Sequence, residues 1–174
     1  EAKRIGEKEY EEIKRYEEQT GFKIDAQWVD DLALTTQIVV KQDELCFAHG
    51  RVLYSALRNY LSSFKPDRNS QKLTIWETGT ARGFSSLCMA KALSDHGANG
   101  AIVTFDVLPH DNPQYWNCIA DVSRGRVSRR ALLDSWRNLI EDYIIFVQGF
   151  TQVTMPKVRP QRIHFAFLDG PHDY

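Results

Sequence analysis

The chain has 174 residues, 43% hydrophobic and 26% charged, which suits one globular domain with a sizeable core rather than a disordered chain. A formal net charge of -1 leaves no global basic field for a phosphate backbone, so nucleic acid is not an expected partner. Cys46, Cys88 and Cys118 are odd in number and far apart, which matches neither a disulfide framework nor paired metal-ligand spacing.

Residues 1–19, EAKRIGEKEYEEIKRYEEQ, are strongly charged, with Ile5, Tyr10, Ile13 and Tyr16 at roughly helical spacing, and predict a surface helix with a solvated face. This N-terminus lacks the apolar centre of a secretory signal, and no apolar run approaches the roughly 20 residues that span a bilayer. A cytoplasmic location without a membrane partner is the expectation. A second helix is predicted after Asp25. A third runs through ELCFAHGRVLYSALRNYLSSF, where Phe47, Val52, Leu53, Ala56, Leu57 and Leu61 share a face. The polar stretch PDRNSQ at 66–71 then breaks the pattern, dividing the chain into an N-terminal helical layer, 1–71, and a core, 72–174.

From Leu73 the elements alternate: strand LTIWET, a helix over 83–94, strand AIVTFD, a helix over 129–141, strand YIIFVQ and strand IHFAFLD. This alternation predicts an α/β fold, a Rossmann-like, doubly wound, mostly parallel sheet covered by helices. The first crossover helix places Phe84, Leu87, Cys88 and Ala92 on one side. The second does the same with Leu132, Leu133, Trp136, Leu139 and Ile140.

Ligands of such sheets bind beyond the carboxyl ends of the strands, so the first strand-to-helix turn, ETGTARG at 77–83, is the place to look. A dinucleotide fingerprint framed on Gly79 would need glycines where Ala81 and Phe84 stand. A phosphate-binding Walker loop would need Gly-Lys-Ser/Thr where the chain has Phe84-Ser85-Ser86. The remaining pattern, E-x-G-x-x-x-G, resembles motif I of the class I S-adenosylmethionine-dependent methyltransferases. That resemblance implies S-adenosylmethionine as cofactor, contacted by Glu77, Gly79, Thr80 and Gly83, with Arg82 and Ser85 beside them.

Asp106 closes the second strand about 20 residues beyond the loop, the interval at which an acid meets ribose hydroxyls in nucleotide-binding βαβ units; the other reading is a turn-forming Asp before LPHDNP. At the end of the third strand, Gln148, Gly149, Phe150 and Thr151 stand where class I methyltransferases enclose the adenine. The fourth strand delivers LDGPHDY. This segment resembles the D-G-x-H-x-Y stretch of a subgroup that includes macrocin-type sugar O-methyltransferases and relatives of cephalosporin-biosynthesis proteins.

The resemblance implies His172 as the base and Asp169 as a catalytic residue and ligand of a hard divalent cation such as Mg2+. Asp169 capping a turn and His172 as an exposed loop residue is the competing reading. His49 stands as a candidate lid residue or a structural histidine, and Tyr115 and Trp116 as pocket lining or plain packing.

The expectation is therefore methyl transfer to a hydroxyl of a small molecule such as a sugar. A non-catalytic nucleotide-fold binding module is the alternative. A base methyltransferase would carry an N/D-P-P-Y/F motif that DGPHDY lacks, and a nicotinamide oxidoreductase is disfavoured by the glycine spacing. A methyltransferase sheet has seven strands, so three are expected to be missing after Tyr174. If the natural chain ended there, a partner or second copy forming a homo-oligomer would have to cover the open edge.

Overall fold

A computed structural model describes residues 4–5, 10–39, 45–65, 72–160 and 162–170. Three helices open the chain: α1 at Glu11–Thr20, α2 at Ala26–Thr36 and α3 at His49–Ser63. The Asp25 carboxylate caps α2, accepting the Trp28 N–H at 2.8 Å, which is why the helix starts there. α3 begins later than its apolar pattern suggested. The Phe47 ring drops edge-on against Phe84, 6.3 Å between centroids, and the helix starts only beyond it.

The charged N-terminal stretch is not uniformly solvated. Glu17 of α1 is buried and forms a two-pronged ion pair with Arg51 of α3, at 2.8 and 2.6 Å. A buried carboxylate needs such a partner, and the guanidinium fork supplies both hydrogen bonds.

The alternating part forms β1 at Leu73–Thr78, α4 at Phe84–His96, β2 at Gly100–Asp106, β3 at Ile144–Gln148 and β4 at Phe165–Leu168. All pairings are parallel, in the order β3-β2-β1-β4. The chain steps outward from β1 to β3 and then returns to the other side of β1. This is the Rossmann-like arrangement, and its crevice lies at the carboxyl ends beside β1. Ile75, Ile102 and Ile144, aligned across the sheet, are buried in one apolar cluster with Leu87, Cys88 and Leu93 of α4. Val29, Leu32, Leu53, Leu57 and Leu61 of the N-terminal helices belong to the same cluster.

The second crossover departs from expectation. In place of one helix over 129–141 there are α5 at Ile119–Arg124, α6 at Arg129–Leu132, a 3₁₀ turn at Asp134–Trp136, and α7 at Arg137–Tyr143. Asp134 turns its carboxylate to Arg137, the local side-chain bonding that competes with helix continuation. The break lets Leu133 lie over Gly83 while α7 runs along α4. A further short helix, α8 at Thr151–Thr154, follows β3. No helix among the described residues is long and apolar enough to cross a membrane.

Candidate functional site

The β1–α4 turn is built around two left-handed glycines. Gly79 has φ +82°, and a Cβ there would lie 2.3 Å from the Asp169 carbonyl oxygen, so only glycine lets the turn pass the end of β4. Gly83, φ +87°, occupies the N-cap of α4, beneath Leu133. Between them Ala81 is left-handed without being glycine, at φ +45°.

Glu77, the last but one residue of β1, is fully buried. One carboxylate oxygen accepts the Ser85 hydroxyl at 2.5 Å and the other accepts the Ser86 hydroxyl. Burial pushes its pKa above the ordinary carboxylate value, while hydrogen bonds from Ser85, Ser86 and Thr104 and the charge of Arg129 pull it back. The Thr80 and Thr104 hydroxyls meet at 2.5 Å and join the loop to β2.

Asp106 ends β2 and accepts two backbone N–H groups, from Ala81 at 2.5 Å and from Leu108 at 2.8 Å. Arg129, 1% exposed, donates from Nε to the Ala81 carbonyl at 2.9 Å and places Nη2 3.6 Å from Asp106 Oδ2. Its guanidinium sits 5.3 Å from the Trp116 ring centre and 5.5 Å from that of Phe146. A cavity of about 290 Å³ opens here, lined by Thr80, Thr104, Asp106, His110, Arg129 and Gln148 among others. The His110 ring stacks on Phe146 at 3.9 Å, and burial pushes its pKa down to about 4, leaving it neutral near pH 7.

A crevice with an acid and donors at the ends of parallel strands suits a nucleoside-like ligand. The family model described as a methyltransferase domain matches residues 76–174, from within β1 onward. The chain belongs to the methyltransferase-domain family. None of the curated proteins compared with it matches. Among solved structures it is similar to the SAH-bound Podospora anserina methyltransferase PaMTH1, at 15% identity and a TM-score of 0.45. The similarity covers 97% of this chain and 54% of that one, so the chain spans about half the length of that protein.

Within the methyltransferase domain the expected site residues take different places. Thr80, Asp106 and Gln148 line the cavity. Glu77, Gly79, Gly83 and Ser85 build the loop's frame, with Glu77 locked beneath it. Arg82 turns outward, donating to the Thr36 carbonyl at 2.5 Å and the Trp116 carbonyl at 2.9 Å, so it ties the loop to α2 and to the segment before α5. Gly149 donates its N–H to the Asp106 carbonyl at 2.8 Å, and Phe150 is 69% exposed.

Asp169 is exposed at the carboxyl end of β4, and His172 lies outside the described residues. Among the described residues no group of three His, Cys, Asp or Glu could hold a metal ion. His49 lies with its ring centre 4.9 Å from that of Phe84; burial lowers its pKa and the charge of Asp169 opposes that shift. Trp116 is core, donating its indole N–H to the Val127 carbonyl at 2.8 Å, whereas Tyr115 is exposed.

Arg129 and His110 carried no signal in the sequence as cavity residues. Arg129 stood at the edge of an expected amphipathic helix, and His110 inside LPHDNP, a segment that mattered only as the turn following Asp106.

Proposed function

We propose that the cavity binds S-adenosylmethionine and that the domain serves an O-methyltransferase acting on a hydroxyl of a small molecule such as a sugar. The observation that carries this reading is Asp106, its carboxylate fixed by two loop N–H groups at the mouth of a cavity beside the glycine turn. An acid held in this way keeps acceptor capacity for the two hydroxyls of a ribose. Gln148 supplies an amide for the ring edge, and Thr80 borders the same space.

When bound, S-adenosylmethionine supplies an electrophilic methyl group on a sulfonium. The protein's part is to orient the acceptor oxygen in line with it and to receive the hydroxyl proton. In this reading the rim beyond β4 does so, with Asp169 at the strand end and His172, outside the described residues, as the base. The DGPHDY segment, similar to that of the macrocin-type enzymes, favours a sugar hydroxyl as acceptor. No step is assigned to a metal.

Calorimetric titration with S-adenosylmethionine and S-adenosylhomocysteine tests the reading. Saturable heat from both is the expected result. No heat from either at high micromolar ligand, with a folded protein, removes it.

A further inference from the structure

Arg129 is the one cavity-lining cation among the described residues that no motif accounts for, and it is almost wholly buried. Burying a guanidinium costs several kcal/mol unless its donors and charge are satisfied, so its partners show what it is held for. The hydrogen-bond and ion-pair partners are parts of the loop and of the acid. Nε bonds the carbonyl of Ala81. The N–H of that same Ala81 bonds Asp106, and Arg129 Nη2 lies 3.6 Å from the oxygen that accepts it. Arg129, Ala81 and Asp106 thus close a ring across which the chain skips from α6 to the loop to β2. Ala81 needs such a clamp because its left-handed backbone is disfavoured for any residue with a Cβ.

Nη2 is buried and has no hydrogen-bond partner, its nearest opposite charge standing beyond ordinary bonding distance. The charges of Asp106 and of buried Glu77 both act to keep the guanidinium protonated against the effect of burial. The Trp116 and Phe146 rings near the guanidinium limit how far it can move.

We infer that Arg129 is a positioning residue of the cofactor pocket, clamping the Ala81 turn and aiming the Asp106 carboxylate so that the cavity selects a ribose diol. This rests on the S-adenosylmethionine reading for its ligand but not for its clamp. Lysine at the position keeps the charge and loses the planar fork. Glutamine loses the charge and keeps some polar reach.

Two measurements on the same proteins separate the claims. Without ligand, hydrogen exchange at the Ala81 amide should be about tenfold faster or more in Arg129→Gln than in the wild type, with Arg129→Lys between them, while β2 amides such as Ile102 keep their protection. Unchanged exchange at Ala81, or equal acceleration throughout β2, overturns the clamp.

With ligand, S-adenosylhomocysteine should bind about tenfold more weakly to Arg129→Gln, and the 2′,3′-dideoxy analogue should lose much less. Equal losses for both ligands overturn selection through Asp106. A wild type that binds neither ligand defeats the S-adenosylmethionine reading and, with it, the diol selection, while the exchange measurement still decides the clamp.

Discussion

Glu77 shows how a motif can name a residue without naming its bonding partners. The acidic residue closing the first strand was legible because E-x-G places it at a strand end. That both of its oxygens are taken by Ser85 and Ser86, sealing it beneath the loop, was not, since those partners lie across the turn, at the start of α4. Its raised pKa has a stability consequence. Below the ordinary value of 4.5 the acid is protonated in both folded and unfolded chains; as pH rises toward the folded value, only the unfolded chain gives up its proton. The stability contributed by the neutral acid is therefore full below 4.5 and lost as pH rises through the folded value. Glu77→Gln lacks this loss, and its amide can still pair with serine hydroxyls, which both donate and accept. Thermal unfolding from about pH 4 to about pH 8 should show the variant gaining on the wild type as pH rises; parallel curves would show that folding does not raise the pKa of Glu77.

At the scale of elements, the four strands were readable within a residue or two because each is a short apolar run bounded by polar or turn-forming residues. The broken second crossover was not. Its apolar positions continue through Leu132, Leu133, Trp136, Leu139 and Ile140 as though the helix did, and only Asp134 and Ser135 hinted at the interruption. Nor did periodicity reveal how closely α3 and α4 approach. A Cβ on Gly50 would lie 2.6 Å from the Phe84 ring and 2.8 Å from Cys88 Sγ, so glycine sets the spacing of these helices. Gly50→Ala must push Phe84, the first residue of α4, away from α3. We expect a loss of about 1–3 kcal/mol in chemical denaturation, the usual cost of overpacking, together with weaker cofactor binding. Asn59→Ala, at an exposed position of the same helix, should stay within about 0.5 kcal/mol. A Gly50 variant as stable as the Asn59 control would contradict the close packing.

For the whole molecule the question is whether the N-terminal helices are an appendage or a part of the methyltransferase domain's fold. The family match begins at residue 76, and the composition break at 66–71 suggested the same division. The packing crosses it. Leu32, Leu53 and Leu57 share their apolar cluster with Leu87 and Leu93, and Arg82 of the β1–α4 loop bonds the last carbonyl of α2 at Thr36. Sequence could mark the polar break but not these contacts, because they depend on which faces meet in space. A shared core of this kind unfolds as one unit, so a ligand bound at the loop should protect α2 as much as β2. S-adenosylhomocysteine at about 100 times its Kd stabilises the folded state by about 2.7 kcal/mol, which is about a hundredfold slowing of amides that exchange only through global unfolding. Hydrogen exchange should find Leu32 and Ala33 of α2 slowed by the same factor as Ile102 and Val103 of β2. If β2 slows while α2 does not, the N-terminal helices open independently and the two parts are separate cooperative units.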